Sequence, residues 1–249
     1  MNQSFEKGRF VSKNKKAALF PLRAIRKAYL FFAFLPLISR IKKSDWAAED
    51  LLNLAYGKFN KLLYPMQVRS EIQKVLEIIK EKSPRVFVEI GTAEGGSLFL
   101  FSQTLPKDAL IISLDLPGGK FGGGYSWAWW KIPLFKSFPK KGQKLVLIRK
   151  NSHLSETQAM IKNLLHGREI DFLFIDGDHT YEGAKKDYNL YAPLVKKGGL
   201  VALHDIAVHD QSLNCDVDRF WNELKNGLTH QELIENQAQG WAGIGIIQK

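Results

Sequence analysis

Five short, continuous apolar runs alternate with helical stretches over residues 86–203, and this alternation leaves very few possible architectures. Continuous apolar runs are typical of strands that are buried on both faces of a sheet. Strands that alternate with helices at this spacing predict a parallel sheet with right-handed crossovers. The sequence therefore predicts a doubly wound α/β fold with helices on both faces. The predicted strands are 86–90, 109–114, 145–148, 172–175 and 200–203.

Helical patterns fill the rest of the chain. Between Asp45 and Lys82, apolar residues recur at spacings of three and four, and Ser83-Pro84 ends the pattern. The other predicted helices are 96–105, 155–165 and 181–195. Near the end of the chain, residues 232–235 and 244–248 predict an antiparallel pair that closes the sheet. Without an internal repeat, residues 45–249 are expected to form one domain.

A basic leader, residues 1–44, precedes this domain. Residues 1–43 contain eleven basic residues and one acidic residue, a net charge of +10, whereas the other 206 residues contain 25 basic and 24 acidic residues. Because the body offers no basic stripe, nucleic acid is not expected as a partner. The only cysteine, Cys215, can form no internal disulfide, so a reducing cytoplasm is the expected compartment.

The leader contains an apolar run at residues 28–39, flanked by basic residues. The run is too short to span a bilayer, which needs about 20 residues, and its distance from the start does not fit an export signal. Two alternatives stay open. Residues 17–43 bind the anionic inner face of a membrane peripherally, or they pack on the protein's own core or on a second subunit of a homo-oligomer.

Ligands of such sheets bind at the carboxyl ends of the strands, so the residues that follow each strand are the candidate site. Gly91 and Gly95, after the first strand, permit a tight turn and a close backbone approach. Ala93 stands where a dinucleotide fingerprint has its middle glycine, which argues against an NAD or nucleotide-sugar enzyme. Glu89 and Asp115, at the ends of two strands, suit an adenosine ligand without pyrophosphate.

Each of these assignments has a plainer alternative. The glycines at 91 and 95 can serve only to shape a strand-to-helix turn, and Glu89 can be a buried structural carboxylate. Asn151-Ser152, after the third strand, is placed to reach an adenine edge, but both residue types also commonly begin helices.

Acidic residues and histidines follow the fourth and fifth strands. Asp176 and Asp205 are expected to converge because neighbouring strands lie about 4.8 Å apart, and two carboxylates suit Mg²⁺ or a similar cation. His179 is a candidate general base, with His209 and Asp210 as substitutes. The alternative is that Asp178 or Thr180 caps the next helix and His179 lies on the surface.

The long segment 117–139 is rich in glycine and aromatic residues. Long loops of this kind are typical lids or binding loops. Trp127, Trp129 and Trp130 offer flat faces that suit stacking on a sugar or an aromatic ring. Packing of these tryptophans on the core or on a partner subunit is the alternative.

Four motifs carry a resemblance to a known family: VEIGTAEGGS, SLDLPGGKFGGGY, DFLFIDGDHTYEGAKKDYNLYAPLVKKGGLVALHDI and GIGI. The stretch 86–245 resembles the cephalosporin hydroxylase / rhamnosyl O-methyltransferase family of class I S-adenosylmethionine-dependent methyltransferases. The resemblance implies a Rossmann-like sheet, methylation of a hydroxyl that often belongs to a sugar, and a divalent metal near Asp176 and Asp205. Some relatives have an acidic residue where this chain has His204.

We therefore predict an S-adenosylmethionine-dependent O-methyltransferase that acts on a small-molecule or glycan acceptor, with a divalent cation, Mg²⁺ or another, as second cofactor. The predicted cofactor-binding residues are Glu89, Gly91, Thr92, Gly95, Asp115, Asn151, Ser152 and Asp176. The predicted catalytic residues are His179 and Asp176, and the predicted metal ligands are Asp176, His204 and Asp205. The alternative is a catalytically inactive scaffold that binds S-adenosylmethionine or docks on a membrane.

Overall fold

The computed structural model describes residues 34–42, 46–57, 59–63, 65–118 and 131–249. Within them the chain forms one seven-stranded sheet with the strand order β3-β2-β1-β4-β5-β7-β6. Strands β1 to β5 are parallel, and β7 is antiparallel to both β5 and β6. The predicted sheet, including its antiparallel closing strand, is confirmed. The three loop tryptophans of residues 119–130 and most of the leader lie outside the described residues.

The elements have the following bounds. The strands are β1 (Val86–Ile90), β2 (Leu110–Asp115), β3 (Lys144–Arg149), β4 (Ile170–Ile175), β5 (Val195–His204), β6 (His230–Leu233) and β7 (Ile244–Gln248). The helices are α1 (Ala48–Tyr56), α2 (Asn60–Leu63), α3 (Arg69–Lys82), α4 (Gly96–Thr104), α5 (Lys131–Phe135), α6 (Ser155–Leu165), α7 (Tyr181–Tyr191) and α8 (Val217–Leu224). Residues 34–42 are also helical, and short 3₁₀ turns cover Ala192–Leu194 and Gln211–Leu213.

Three predicted elements differ from the structure by more than two residues, and the other bounds differ by at most two. The helical pattern of residues 45–82 is divided among α1, α2 and α3, because Gly57 ends α1 and Pro65 precedes α3. Helix α7 ends at Tyr191, four residues early, because Pro193 follows in the 3₁₀ turn. Strand β5 begins at Val195, five residues before the predicted apolar run, because residues 196–198 are exposed and interrupt the apolar pattern.

The sheet is covered on both faces, and alternate residues of each strand belong to different cores. Phe87 packs in the core under α1 to α4, whereas Val86, Val88 and Ile90 pack in the core under α6, α7 and α8. A sheet that is buried on both faces needs apolar residues at consecutive positions. This requirement is the physical reason that the strands appear as continuous apolar runs.

The helical residues 34–42 contribute to the first of these cores. Phe34, Leu37 and Ile41 are buried there, together with side chains of α1 and α3. None of the described helices is both long enough and apolar enough to cross a bilayer. The predicted membrane contact of residues 17–43, the predicted homo-oligomer and the domain boundary at residue 45 stay predictions.

Glu71 connects α3 to the loop between β6 and β7. Its carboxylate is buried and accepts hydrogen bonds from Glu235 N (3.0 Å), Gln239 Nε2 (2.8 Å) and Gly243 N (2.9 Å). Removing this carboxylate leaves three donors without their acceptor, and buried polar groups without partners are costly. The loop therefore depends on a residue that is more than 160 positions away in the sequence.

We expect Glu71→Ala to lower the free energy of unfolding by about 2–4 kcal/mol, measured by urea denaturation. Glu77→Ala is the matched control, because Glu77 lies exposed on the same helix, and its effect should stay within about 0.5 kcal/mol. Equal effects of the two substitutions would contradict the structural role of Glu71.

Candidate functional site

A cavity of about 330 Å³ opens at the carboxyl edge of the sheet. The segments that follow all five parallel strands contribute to its wall. The cavity lies across β1 and β4, where the strand order reverses, which is where open α/β sheets bind their ligands. The predicted site residues that line it are Gly91, Thr92, Asp115, Asn151, Ser152, Asp176, His179, His204 and Asp205.

Gly91 permits the close approach of β1 to β4 at the floor of this cavity. Its φ of +99° is in the left-handed region, and a Cβ atom at this position would lie 1.8 Å from the carbonyl oxygen of Asp176. Backbone hydrogen bonds from Gly91 N to Leu114 O and from Asp176 N to Ile90 O, both 2.8 Å, hold the floor together. A side chain at position 91 would therefore separate the two halves of the site.

Asp115 lies on one side of the cavity. It is buried, forms an ion pair with Arg149, and accepts hydrogen bonds from the backbone N–H groups of Ala93 and Leu116. Burial raises the pKa of Asp115 to about 6, although Arg149 and these hydrogen bonds act in the opposite direction. Ala93 adopts a φ of +44°, so an alanine occupies the left-handed position of the turn. Asp115 therefore braces the turn as well as lining the cavity.

Asn151 and Ser152 form the wall beyond β3. Asn151 Oδ1 accepts a hydrogen bond from His153 N (2.8 Å), and Ser152 O accepts one from the hydroxyl of Tyr191 (2.7 Å). The amide nitrogen of Asn151 is not used by these bonds. His153 also lines the cavity, and its Nε2 lies 3.4 Å from the fully buried Asp187.

Glu89 and Gly95, two of the predicted cofactor-binding residues, are not among the described residues that line the cavity. Glu89 is fully buried, and its carboxylate accepts hydrogen bonds from Ser97 (2.7 Å) and Ser113 (2.6 Å). Gly95 faces the ring of Phe135, where a Cβ atom would lie 2.2 Å from the nearest ring carbon. These contacts fit the plainer alternatives, and the predicted roles of Glu89 and Gly95 in binding the cofactor stay predictions.

Acidic residues and histidines converge where β4 and β5 end. His204 Nδ1 lies 3.1 Å from Asp176 Oδ1 and 3.1 Å from Asp205 Oδ1. His179 Nδ1 lies 3.1 Å from Asp205 Oδ2, and its Nε2 lies 3.7 Å from Asp176 Oδ1. His209 Nε2 lies 3.1 Å from Asp205 Oδ1. Three histidines therefore surround two carboxylates.

The charges in this cluster shift one another's proton affinity. Burial disfavours the charged imidazole of His204, but the facing carboxylates of Asp176 and Asp205 outweigh burial and hold its pKa well above the usual value. Burial likewise opposes ionisation of Asp205, but the surrounding histidines, foremost His204, hold its pKa well below the usual range. The two carboxylates therefore favour the positively charged form of the His204 imidazole that lies between them.

The turn after β4 combines the two alternatives considered from the sequence. Thr180 is the N-cap of α7, since its hydroxyl accepts a hydrogen bond from Gly183 N (3.0 Å), and Asp178 Oδ1 accepts one from Thr180 N (3.0 Å). His179 nevertheless faces the cavity, with 36% of its side chain exposed. Asp210 is exposed and accepts hydrogen bonds from Ser212, so only His209 of the two substitute bases joins the cluster.

Several cavity residues have no clear signal in the sequence. Gln67 Nε2 donates a hydrogen bond to Asp176 Oδ2 (2.9 Å), and Cys215 lies with His179 and Asp205 in a group whose ligand atoms are within 4.8 Å of one another. Trp241, 43% exposed, stands at the cavity wall. Gly240 and Gly243, on either side of Trp241, are the kind of signal that indicates a tightly turned loop. No comparable signal in the sequence near Gln67 indicates its contact with Asp176.

The loop that carries Trp241 is attached to the cluster. Ala242 N donates a hydrogen bond to His209 Nε2 (3.1 Å), and His209 Nδ1 lies 2.7 Å from Ala207 O. A second bond joins Ala207 N to Ala242 O (2.9 Å). The indole is therefore held at a defined place beside the acidic and histidine side chains.

Comparison with known proteins agrees with this geometry. Residues 88–206 match a family model described as a methyltransferase domain. An uncharacterized protein of Acanthamoeba polyphaga mimivirus is 33% identical over 137 residues, which cover 50% of this chain and 53% of that protein. An uncharacterized protein of Sinorhizobium fredii is 25% identical over 144 residues, which cover 57% of this chain and 15% of that protein. The matches thus span about half of the first relative and a smaller part of the second.

Two solved structures share the fold. The O-methyltransferase from Bacillus cereus in complex with SAH (S-adenosylhomocysteine) superposes with a TM-score of 0.50 at 15% identity, over 81% of this chain and 90% of that chain. The O-methyltransferase TomG from Streptomyces achromogenes, in complex with SAM (S-adenosylmethionine), has a TM-score of 0.53 at 15% identity, over 87% of this chain and 95% of that chain. The chain therefore has the Rossmann-like methyltransferase fold.

Glu89 makes the stability of the fold depend on pH. Burial raises the pKa of Glu89 from 4.5 to about 8, although Ser113 and Ser97 donate hydrogen bonds to the carboxylate. Between these two values the folded protein keeps a proton that the unfolded chain has released. The free energy of unfolding therefore falls as pH rises from about 5 to 8.

We expect Glu89→Gln to abolish this fall in the free energy of unfolding with rising pH, which is on the order of 3 kcal/mol. The measurement is urea denaturation of both proteins at pH 5, 6.5 and 8. Other titrating groups are common to both, so the difference between the two curves isolates Glu89. Parallel curves would contradict a raised pKa at this position.

Proposed function

We propose that the protein is an S-adenosylmethionine-dependent O-methyltransferase that methylates a hydroxyl of a sugar or glycoconjugate with the help of a divalent cation. The observation that carries the proposal is that one cavity joins a site suited to an adenosine ligand to a cluster suited to deprotonating an alcohol. The sugar acceptor follows the resemblance to the cephalosporin hydroxylase / rhamnosyl O-methyltransferase family.

The cofactor side of the cavity has polar groups in suitable places. We assign Asp115 to the ribose hydroxyls and Asn151, whose amide nitrogen has no hydrogen bond to the described residues, to the adenine edge. The backbone of Gly91 and Thr92 forms the floor, where no side chain obstructs the ligand. Sites for small ligands are commonly cavities of about 300–1,000 Å³ with a few polar groups, and this cavity has that character.

The cluster side of the cavity fits a divalent cation. Asp176, His204 and Asp205 each offer a ligand atom, and these atoms lie within 4.8 Å of one another. Both ring nitrogens of His204 are buried, and neither has a hydrogen-bond partner among the described residues. A cation bound by these residues would lower the pKa of a neighbouring hydroxyl and orient its oxygen.

His179 is the proposed general base. Asp205 Oδ2, 3.1 Å from Nδ1, fixes the orientation of the ring, which leaves Nε2 to accept the proton of the acceptor hydroxyl. Bound S-adenosylmethionine would supply the methyl group, which would pass from its sulfur to the deprotonated hydroxyl oxygen and leave S-adenosylhomocysteine. The walls of the cavity hold the reacting atoms in line and exclude water, which together supply much of the rate enhancement.

Trp241 is the residue on which the ring of the acceptor sugar is proposed to stack. Its partly exposed indole lies at the cavity wall, on the loop that His209 holds. Flat aromatic faces beside hydrogen-bonding groups suit the apolar face of a pyranose ring. The carboxylates and histidines nearby would then contact the hydroxyl groups at the edge of the same ring.

The first test is binding of S-adenosylhomocysteine, measured by titration calorimetry. We expect binding by the wild-type protein and at least about a tenfold weaker affinity for Asp115→Ala, which corresponds to about 1.4 kcal/mol. Asp108→Ala is the matched control. Asp108 is an exposed aspartate that pairs with Arg85 before β2, at the opposite edge of the sheet, so its removal should leave the affinity unchanged.

Two results would change the assignment. Absence of binding to the wild-type protein would reject the cofactor. Binding without methyl transfer to any acceptor would support the inactive scaffold instead.

The second test is transfer of radiolabelled methyl groups to a panel of methyl glycosides, nucleotide sugars and catechol. We expect transfer to the sugars. His179→Ala should lower kcat by about 10²-fold or more through loss of the base, and Trp241→Ala should raise KM for the acceptor about tenfold, a loss of about 1.4 kcal/mol in binding.

Neither substitution should change the affinity for S-adenosylhomocysteine, and His230→Ala, at an exposed histidine of β6, should change none of these quantities. Transfer to catechol alone would overturn the sugar assignment. An unchanged kcat in His179→Ala would remove this residue as the base.

A further inference from the structure

A ring nitrogen lies beside the two carboxylates at the cation site of the proposed methyltransferase. His204 Nδ1 is 3.1 Å from an oxygen of each carboxylate, Asp176 and Asp205. Neighbouring ligand atoms of an octahedral ion lie apart by the bond length times the square root of two, about 3.0–3.1 Å for bonds of about 2.1–2.2 Å. The observed spacings fit ligands that share one ion, and they also fit an ion pair between the ring and the carboxylates.

A simple ion pair between His204 and the carboxylates explains the arrangement less well. The ring is 4% exposed, and Nδ1 has no hydrogen-bond partner among the described residues although two carboxylate oxygens lie close to it. An imidazolium that had only to neutralise these carboxylates would point an N–H bond at one of them. The ring instead presents Nδ1 between the two oxygens.

We infer that this centre prefers a first-row transition ion, such as Mn²⁺, Fe²⁺ or Zn²⁺, to Mg²⁺, with His204 Nδ1 as one of its ligands. Mg²⁺ takes oxygen ligands almost exclusively, whereas imidazole suits the transition ions. This inference rests on the proposed function for the location of the cation and deepens it by naming the class of ion.

The test uses the full chain, stripped of metal with EDTA and dialysed, and needs no acceptor. Binding of Mn²⁺ is followed by the loss of the free-ion EPR signal, with Mg²⁺ as competitor. We expect about a tenfold or larger excess of Mg²⁺ to leave bound Mn²⁺ in place. Pulsed EPR of the bound ion should show the hyperfine coupling of a directly bonded ¹⁴N nucleus.

Two variants make the assignment specific. His204→Glu creates an all-oxygen ligand set, so the ¹⁴N coupling should disappear. The ratio of the Mn²⁺ affinity to the Mg²⁺ affinity should fall about tenfold. Cys215→Ser is the matched control, because it removes a neighbouring donor and leaves the three ligands intact. Its Mn²⁺ affinity and ¹⁴N coupling should equal those of the wild-type protein.

The results that would contradict this inference differ from those that would contradict the proposed function. Bound Mn²⁺ without ¹⁴N coupling in the wild-type protein, or no binding of Mn²⁺ or Zn²⁺, would overturn the inference whether or not the variants fold. Equal loss of binding in Cys215→Ser and His204→Glu would move the ion to the group of His179, Asp205 and Cys215. If S-adenosylhomocysteine still binds and sugars are still methylated, the proposed function stands and only the ion assignment falls.

Discussion

The register between β4 and β5 is the constraint on which the site depends. Ile175 pairs with Leu203, so Asp176 and the pair His204-Asp205 leave the sheet at the same level. Two carboxylates at such close range repel each other, and a dry edge of the sheet increases the repulsion. The imidazole of His204, alone or with a cation, lies between the two carboxylates and reduces the repulsion between them. A shift in register by one residue would move one carboxylate into a core.

Much of the fold follows from local sequence, because strands that are buried on both faces need uninterrupted apolar residues. The residues that meet at the carboxyl edge of the sheet could also be predicted, because the apolar runs show where each strand ends. Once β4 and β5 are recognised as neighbouring parallel strands, Asp176 and Asp205 have to lie near each other. The strand order gives this part of the site without any knowledge of loops. The contacts of Gln67 and Trp241 could not be predicted, because they depend on how distant segments fold back over the sheet.

Glu89 shows where reasoning from strand ends reaches its limit. Alternation along β1 places residue 89 on the same face as Phe87, so its carboxylate points into a helix layer and meets Ser97 and Ser113. A position near the end of a strand is therefore not sufficient to place a side chain in the wall of the cavity. Asp115 is the last residue of β2, and Asp176 follows the last residue of β4. Asp115 is also the last paired residue of β2, so both side chains stand at the edge of the sheet and face the cavity.

Four residues other than glycine in or next to the cavity wall have left-handed backbone conformations: Ala93, Asp205, Asn214 and Ala242, with φ of +44°, +66°, +48° and +60°. Each such conformation costs on the order of 1–3 kcal/mol, and the two well-packed cores must supply that energy. The domain therefore gives up stability in exchange for a preorganised site. Variants selected for heat resistance would be expected to relax these turns first, because glycine at either alanine position relieves the strain, and to lose catalytic efficiency as a result.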